Sequence, residues 1–307
     1  GEAEAMAQGG ITDILIANQV VGREKLLRLA ELCLLHDVKV TIDCASHAQN
    51  LSQAAVFVGS EVGVLVEVDV GMGRCGVRST GDALSLVSLV KRLPGLRFRG
   101  LLGYEGHTVM LTPREARQEA CTRANMELVG VRRFLEGHGH QCEIVSGGGT
   151  GTYDMTGSFD GMTEIEPGSY VFMDAKYHTL DLPFEQALHV VATVVSTPQE
   201  GLAIVDAGLK TMTAESGKPL AAAYLSNAAT SGPSLHQVQE GELEVAHLSE
   251  EHTKLTGRSA GRLAVGDKVF FVPSHICTTV NLYDYYHVFS QGRFLARWRI
   301  DARGAAY

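Results

Sequence analysis

The chain has 307 residues, 45% of them apolar and 20% charged, with a formal net charge of -9. That length is enough for one large domain or two medium ones whose cores need no staples. The acidic balance argues against nucleic acid or an anionic membrane as partner, since both select a basic face. No apolar run reaches membrane-spanning length, and the acidic start Gly1-Glu2-Ala3-Glu4 has no basic n-region of a secretory signal. The cysteines Cys33, Cys44, Cys75, Cys121, Cys142 and Cys277 form no C-x-x-C pair. A chain of this size needs no disulfide framework, so a reducing, cytoplasmic setting is expected. Five of the six read as small core residues; Cys277 stands apart for reasons given below.

The chain opens in a helix-like stretch, Glu2–Gln8, that ends at Gly9-Gly10. Short apolar β-type runs follow at Asp13–Asn18, Val38–Cys44, Val62–Val70, Arg99–Tyr104 and Cys142–Gly147, with a sixth around Glu164–Phe172. Amphipathic helical patterns separate them at Arg23–His36, Ala48–Gly59, Asp82–Arg92 and Pro113–Gly137, with Thr112 as expected N-cap before a first-turn proline. Strands alternating with helices predict right-handed βαβ units and a parallel sheet, open or closed as a barrel. A closed barrel needs eight strands and about six are visible, so we expect an incomplete (β/α)8 TIM-like barrel whose first strands lie upstream of Gly1. After about Pro183 the rhythm changes to β runs without helices: Leu188–Ser196, Leu202–Leu209, Asp267–Pro273, Tyr285–Ser290 and Arg293–Ile300, the last two joined by the hairpin-type turn Gln291-Gly292. This predicts α/β followed by β: a barrel over residues 1–183 and an antiparallel β domain over 184–307, the last residues returning to the barrel. Thr213–Gly241, rich in Ala, Ser and Gly, is expected to be irregular.

Five motifs carry chemistry. Ser146-Gly147-Gly148-Gly149-Thr150-Gly151-Thr152 follows a strand, where successive glycines let backbone N–H groups approach a phosphate. Its spacing is that of neither common nucleotide loop. Glu166-Pro167-Gly168-Ser169-Tyr170 makes a turn that could close the other side of the same phosphate. Val68–Gly76 (VDVGMGRCG) places Arg74 among glycines at a strand end, where parallel sheets bind ligands. Gly103–His107 (GYEGH) offers Tyr104, Glu105 and His107 as acid–base groups. His275-Ile276-Cys277 puts an imidazole and a thiol on one face if extended, a pair suited to Zn²⁺ with open positions.

Taken together with VDAGLK (Val205–Lys210), SEEH (Ser249–His252) and PSHICTTVNLYD (Pro273–Asp284), these segments resemble the D-threonine aldolase / D-serine dehydratase-like family across nearly all of the chain. That family comprises fold-type III pyridoxal-phosphate (PLP) enzymes, an alanine-racemase-like barrel followed by a β domain. The resemblance implies that Arg74 faces the PLP pyridine nitrogen. Gly149 and Thr150, with Gly168 and Ser169, would hold the phosphate, and Tyr170 is counted with the cofactor-binding residues. Tyr104 and His107 would lie near the reacting carbons, His107 as base, and His275 with Cys277 would bind a divalent ion (Zn, Mn or Mg) beside the substrate hydroxyl. The implied activity is a lyase on a small-molecule D-3-hydroxy amino acid. D-threonine aldolase is placed ahead of a D-serine or D-threo-3-hydroxyaspartate dehydratase, since GYEGH leans to the former and Cys277 to the latter. A non-catalytic PLP-binding protein and a plain phosphate-binding barrel are the further alternatives, and a homodimer is expected. The family's cofactor-bearing lysine sits in an R-P-H-x-K-T-H-K-like segment that does not occur here, which leads to the expectation that the segment precedes Gly1.

Overall fold

A computed structural model describes residues 1–227 and 233–307. The chain divides into two compact units, Gly1–Gly168 with Ala305–Tyr307, and Ser169–Gly304.

The first unit runs α1 (Glu2–Gln8), β1 (Asp13–Ile16), α2 (Arg23–Leu32), β2 (Asp37–Ile42), α3 (Ala45–Val58), β3 (Val62–Glu67), α4 (Thr80–Arg92), β4 (Leu96–Leu102), α5 (Arg114–Gly137), β5 (Ile144–Gly147), α6 (Tyr153–Gly157) and β6 (Glu164–Ile165). Its six strands form one sheet in sequence order, every pairing parallel. This is the parallel half-barrel that the alternating pattern predicted. All six residues of β3 are buried, as expected of a strand covered on both faces. Val40 of β2 stands opposite Val64 of β3, and both belong to the core that Leu51, Ala55, Leu86, Val87 and Leu128 build from the helices. Helix α4 begins on a reciprocal cap: Ser79 Oγ accepts the Asp82 N–H at 3.0 Å and donates to the Asp82 carboxylate at 2.6 Å. At α5 the expected Thr112 cap is replaced by Pro113, extended at φ -73°, ψ 178°, because proline cannot supply an N–H and is tolerated where none is needed. The sixth strand is only Glu164–Ile165; Pro167 and Gly168 turn the chain out of the sheet.

The second unit holds a seven-stranded antiparallel sheet. Its strands are β7 (Val190–Gln199), β8 (Leu202–Val205), β9 (Leu220–Ser226), β10 (Ser234–Gln237), β11 (Glu244–Leu248), β12 (Thr253–Thr256) and β13 (Lys268–Val272), in the order β10-β9-β13-β7-β8-β12-β11. A short helix α7 (Ile276–Val280) and a hairpin of β14 (Tyr285–Ser290) and β15 (Arg293–Arg299) follow. Phe271, Leu255, Met212, Val194 and Val205 are fully buried in its core. Gln291 and Gly292 carry φ of 49° and 74°, the left-handed pair that a tight hairpin turn demands.

One expectation is corrected here. Thr213–Gly241 is not irregular throughout, for β9 and β10 lie within it and pair from Ser234↔Ser226 to Gln237↔Ala223. Small side chains buried there (Ala221, Ala223) give a strand none of the bulky β-branched alternation that marks one in sequence. Residues 228–232 of that stretch lie outside the described residues. The chain just after Gly168 is stitched into the second unit. The Ala175 N–H donates to Pro273 O at 2.9 Å, and Asp174 reaches the Ile276 N–H at 3.2 Å. Among the described residues no helix is long and apolar enough to cross a membrane.

Candidate active site

In the first unit the polar chemistry gathers where the strands end. The loop leaving β3 folds back on itself through a bridge between Val68 and Val77. Asp69 Oδ1 accepts the N–H groups of Gly71 (3.1 Å) and Gly73 (2.9 Å), and these bonds hold its carboxyl below the ordinary carboxylate range against the opposing effect of burial. Gly76 closes the loop at φ 109°, where an added Cβ would lie 2.4 Å from Asp69 N, so only glycine fits. Arg74 is thereby carried to a shallow surface dip beside Glu67, Asp69, Cys75 and Tyr104. Its guanidinium stands 5.7 Å from the centroid of the Tyr104 ring, within cation–π range. It makes no ion pair among the described residues, so its donors suit an anionic or lone-pair ligand.

The GYEGH segment leaves β4 beside this loop. A Cβ on Gly106 would meet Tyr104 Cε1 at 2.4 Å, so the glycine lets the tyrosine ring lie back over the chain. The exposed His107 puts Nε2 against Gly71, 3.1 Å from where a Cβ would stand. Tyr104 Oη lies 3.4 Å from the corresponding position on Gly149. Four expected site residues, Arg74, Tyr104, His107 and Gly149, are therefore brought together in this unit.

The glycine turn differs in one respect from its sequence reading. The N–H of Gly149 is committed to Thr152 Oγ1 at 3.2 Å and that of Gly148 to Glu105 Oε2 at 2.9 Å. Thr150 is buried beside them, while Gly168, after β6, is exposed with open space around it. The two turns leave neighbouring parallel strands paired as Ser146↔Glu164 and Gly147↔Ile165. Ser146 Oγ touches Glu164 at 2.7 Å and Glu166 at 2.6 Å. Burial raises the Glu166 carboxyl to about 7, helped by the neighbouring carboxylates and opposed by its Ser146 bond.

The lysines of this unit stand elsewhere. Lys25 and Lys91 lie on helices, and Lys39 is buried near the amino end of β2 between Asp13 and Asp37. Among the described residues of the unit none stands at the carboxyl end of a strand.

In the second unit His275 and Cys277 do meet, though not as an extended pair. His275 is extended (φ -141°, ψ 128°) and caps α7, so Cys277 lies in the first helical turn. The fully buried Asp174 holds His275 Nδ1 at 3.2 Å. The hydrogen bond to Asp174, then that to Cys277, lifts the imidazole to about 10. The same imidazole bond lowers the Cys277 thiol. Ser169 Oγ lies 4.0 Å from Cys277 Sγ. A carboxylate fixing one ring nitrogen leaves the other for a metal, and thiolate with imidazole is a zinc-type donor set, so these residues fit a divalent ion. Tyr170 packs on Phe184 with ring centroids 5.3 Å apart. Asp174 had no sequence signal beyond its motif; Met173 at φ 57° turns the chain just before it.

A parallel half-barrel whose strands end in glycine turns, with an antiparallel β domain bearing a braced imidazole–thiol pair, defines the alanine-racemase-like class of PLP enzymes. Residues 1–176 match the family described as alanine racemase, N-terminal domain, and residues 187–289 the one described as putative serine dehydratase domain. The chain is 36% identical to a D-threonine aldolase of an Arthrobacter species, over 99% of this chain and 77% of that protein. It is similar to the solved D-threonine aldolase of Filomicrobium marinum, with TM-score 0.90, 34% identity, and 99% and 80% of the two chains covered. The D-threo-3-hydroxyaspartate dehydratase of Delftia sp. HT23 follows at TM-score 0.84 and 26% identity, with 97% and 81% covered; a variant of such a dehydratase has been solved in a metal-free form. The chain belongs to the D-threonine aldolase / D-serine dehydratase-like family of fold-type III PLP enzymes.

Proposed function

We propose that this protein is a PLP- and divalent-metal-dependent lyase of D-3-hydroxy amino acids that cleaves D-threonine to glycine and acetaldehyde. The observation that carries the reading is the His275–Cys277 pair braced by the fully buried Asp174, a donor set with no structural need for a metal and open positions for a substrate hydroxyl. When bound, PLP supplies the electron sink for breaking the Cα–Cβ bond, and the metal, zinc by its thiolate ligand, supplies a Lewis acid. The protein's own residues do the rest. Arg74 and Tyr104 orient the cofactor ring, and the Gly149–Thr150 turn, with Gly168, Ser169 and Tyr170, takes the phosphate. His107, through Nε2, accepts the proton of the 3-hydroxyl. Asp174 keeps His275 in its ligating orientation.

The six free cysteines support action in a reducing cytoplasm. The exposed Phe289, Phe294, Leu295 and Trp298 of the β14–β15 hairpin support a homodimer, in which a second copy covers them.

A dehydratase is the second reading, favoured by the cysteine in the metal pair. Incubation of a version of the protein that carries the cofactor-bearing lysine segment with PLP, ZnCl2 or MnCl2, and D-threonine or D-serine separates the two. Glycine with acetaldehyde is the expected outcome. Ammonia with a 2-oxo acid transfers the assignment to the dehydratase, and neither pair of products refutes both.

A further inference from the structure

The GYEGH motif holds a third polar residue that the proposed chemistry leaves unused. Glu105 is completely buried, its carboxylate enclosed by β4's exit, the glycine turn and helices α5 and α6. Every contact it makes is to a donor. Oε2 accepts the Gly148 N–H at 2.9 Å. Oε1 accepts the hydroxyls of Thr152 at 2.8 Å and Thr156 at 2.5 Å, with the Cys121 thiol at 3.7 Å.

The direction of this network is fixed by its ends. A threonine hydroxyl has one hydrogen to give and lone pairs to receive with. Thr152 Oγ1 receives the Gly149 N–H at 3.2 Å, so its own hydrogen goes to Glu105. Thr156 Oγ1 receives Asn125 Nδ2 at 3.2 Å, so its hydrogen goes there too. Two consecutive amides of the glycine turn, those of Gly148 directly and Gly149 through Thr152, thus converge on one buried carboxylate. On its other side the turn meets the chain after β4 with no slack: a Cβ on Gly151 would lie 1.9 Å from Val109 O.

We propose that Glu105 is a positioning residue for cofactor phosphate: it fixes the shape of the glycine turn from inside the protein, and the turn in that one shape receives the phosphate. The proposal rests on the reading of this turn as the phosphate cradle. It explains why two amides of a phosphate-binding turn point inward: they anchor the loop, and the anchor is an acceptor that cannot compete for the phosphate itself. A merely structural carboxylate would support the fold equally whichever ligand is offered, whereas one that shapes the cradle acts only on ligands bearing a phosphate.

The test compares the affinities of the protein for PLP and for pyridoxal, its phosphate-free form, by fluorescence titration. It uses the wild type, Glu105→Gln, Thr152→Val and Thr152→Ser. Wild type is expected to prefer PLP. Glu105→Gln places an amide NH2 against donors on one side of the network, and it should lower the preference by about tenfold, the worth of one hydrogen bond's misalignment, with pyridoxal affinity unchanged. Thr152→Val should do the same, and Thr152→Ser should restore the preference, since serine keeps the hydroxyl. If Glu105→Gln does not fold, the Thr152 pair decides alone. Equal losses for PLP and pyridoxal, or a preference untouched by Thr152→Val, overturn the positioning role. A wild type that shows no preference for PLP overturns the cradle reading beneath it, an outcome distinct from the first because it needs no variant.

Discussion

Replacing Glu166 by glutamine should stabilise the protein, and more so as the pH rises. Ser146 Oγ touches both Glu164 and Glu166, at 2.7 and 2.6 Å, yet a hydroxyl can donate to only one of them. The arrangement closes if Glu166 carries a proton and donates it to Ser146, which donates in turn to the exposed Glu164. The carboxyl that burial raises to about 7 is indeed Glu166. The unfolded chain releases this proton near 4.5 and the folded chain only near 7. Below 4.5 both states hold it and stability is unaffected. Through the interval, the unfolded state binds fewer protons than the folded one, and stability falls by about 1.4 kcal/mol per pH unit. The loss is complete above 7, at a ceiling of about 3 kcal/mol. The variant's amide donates to Ser146 as the protonated acid does and never ionises. Thermal unfolding of wild type and Glu166→Gln should therefore nearly coincide at pH 4.5 and separate by several degrees at pH 8, with the variant higher. A variant that melts below wild type at pH 8, or a gap that does not change with pH, would refute the shared-proton arrangement.

Gly76→Ala forces a side chain onto a backbone at φ 109° and into Asp69 N. We expect destabilisation of about 1–3 kcal/mol, read by urea unfolding, with a loss of PLP affinity as the Arg74 loop shifts. Asp174→Asn removes the charge that holds His275 and should weaken zinc binding about 10- to 100-fold, measured by chelator competition, while the His275 titration seen by NMR moves down from about 10. Two cations make a contrast. Arg74→Met should cut PLP affinity with little change in melting temperature. Lys39→Met should lower the melting temperature and leave PLP affinity alone; the opposite pattern would reverse the roles assigned to the two ends of the sheet.

The alternation of β runs and amphipathic helices was enough to place the parallel sheet, because strands covered on both faces write their burial into the sequence as unbroken apolar runs such as Val62–Val66. It was not enough for β9, where alanines fill two of the buried positions, Ala221 and Ala223, and leave little contrast. The site was legible where glycine spacing betrays a backbone constraint, as at Gly71, Gly73 and Gly76 around Arg74. It was not legible where a partner comes from far along the chain. Asp174 reaches His275 across a separation of 101 residues, and nothing local to an Asp in a turn announces that. The H-x-C pair was found for a reason the structure alters: the helix α7, rather than an extended segment, brings Cys277 back to His275. Glu105 was visible as an acid at a strand end but not as an anchor, since only folding shows that Gly148, Thr152 and Thr156 all turn toward it.

The two ends of the parallel sheet treat charge in opposite ways, and this separates scaffold from site. Near the amino end, Lys39 is 3% exposed and sits between Asp13 and Asp37. Arg99 bridges Asp37 at 3.1 Å and Glu143 at 2.7 Å, and Arg97 meets Glu143 at 3.0 Å. Each charge there has a partner of opposite sign, as stability alone requires of charges drawn toward an interior. At the carboxyl end the pairing is incomplete. Among the described residues Arg74 has an aromatic face but no ion pair, burial raises the Glu166 carboxyl so that it keeps its proton beside Ser146, and burial raises the Glu67 carboxyl despite its bond from Gln19 and the nearby charge of Arg74. Unpaired groups of both signs within one sheet end are costly to hold. They persist where a ligand that carries its own polar groups completes them, and PLP held here as proposed would offer Arg74 the lone pair of its ring nitrogen and leave its phosphate to the glycine turn.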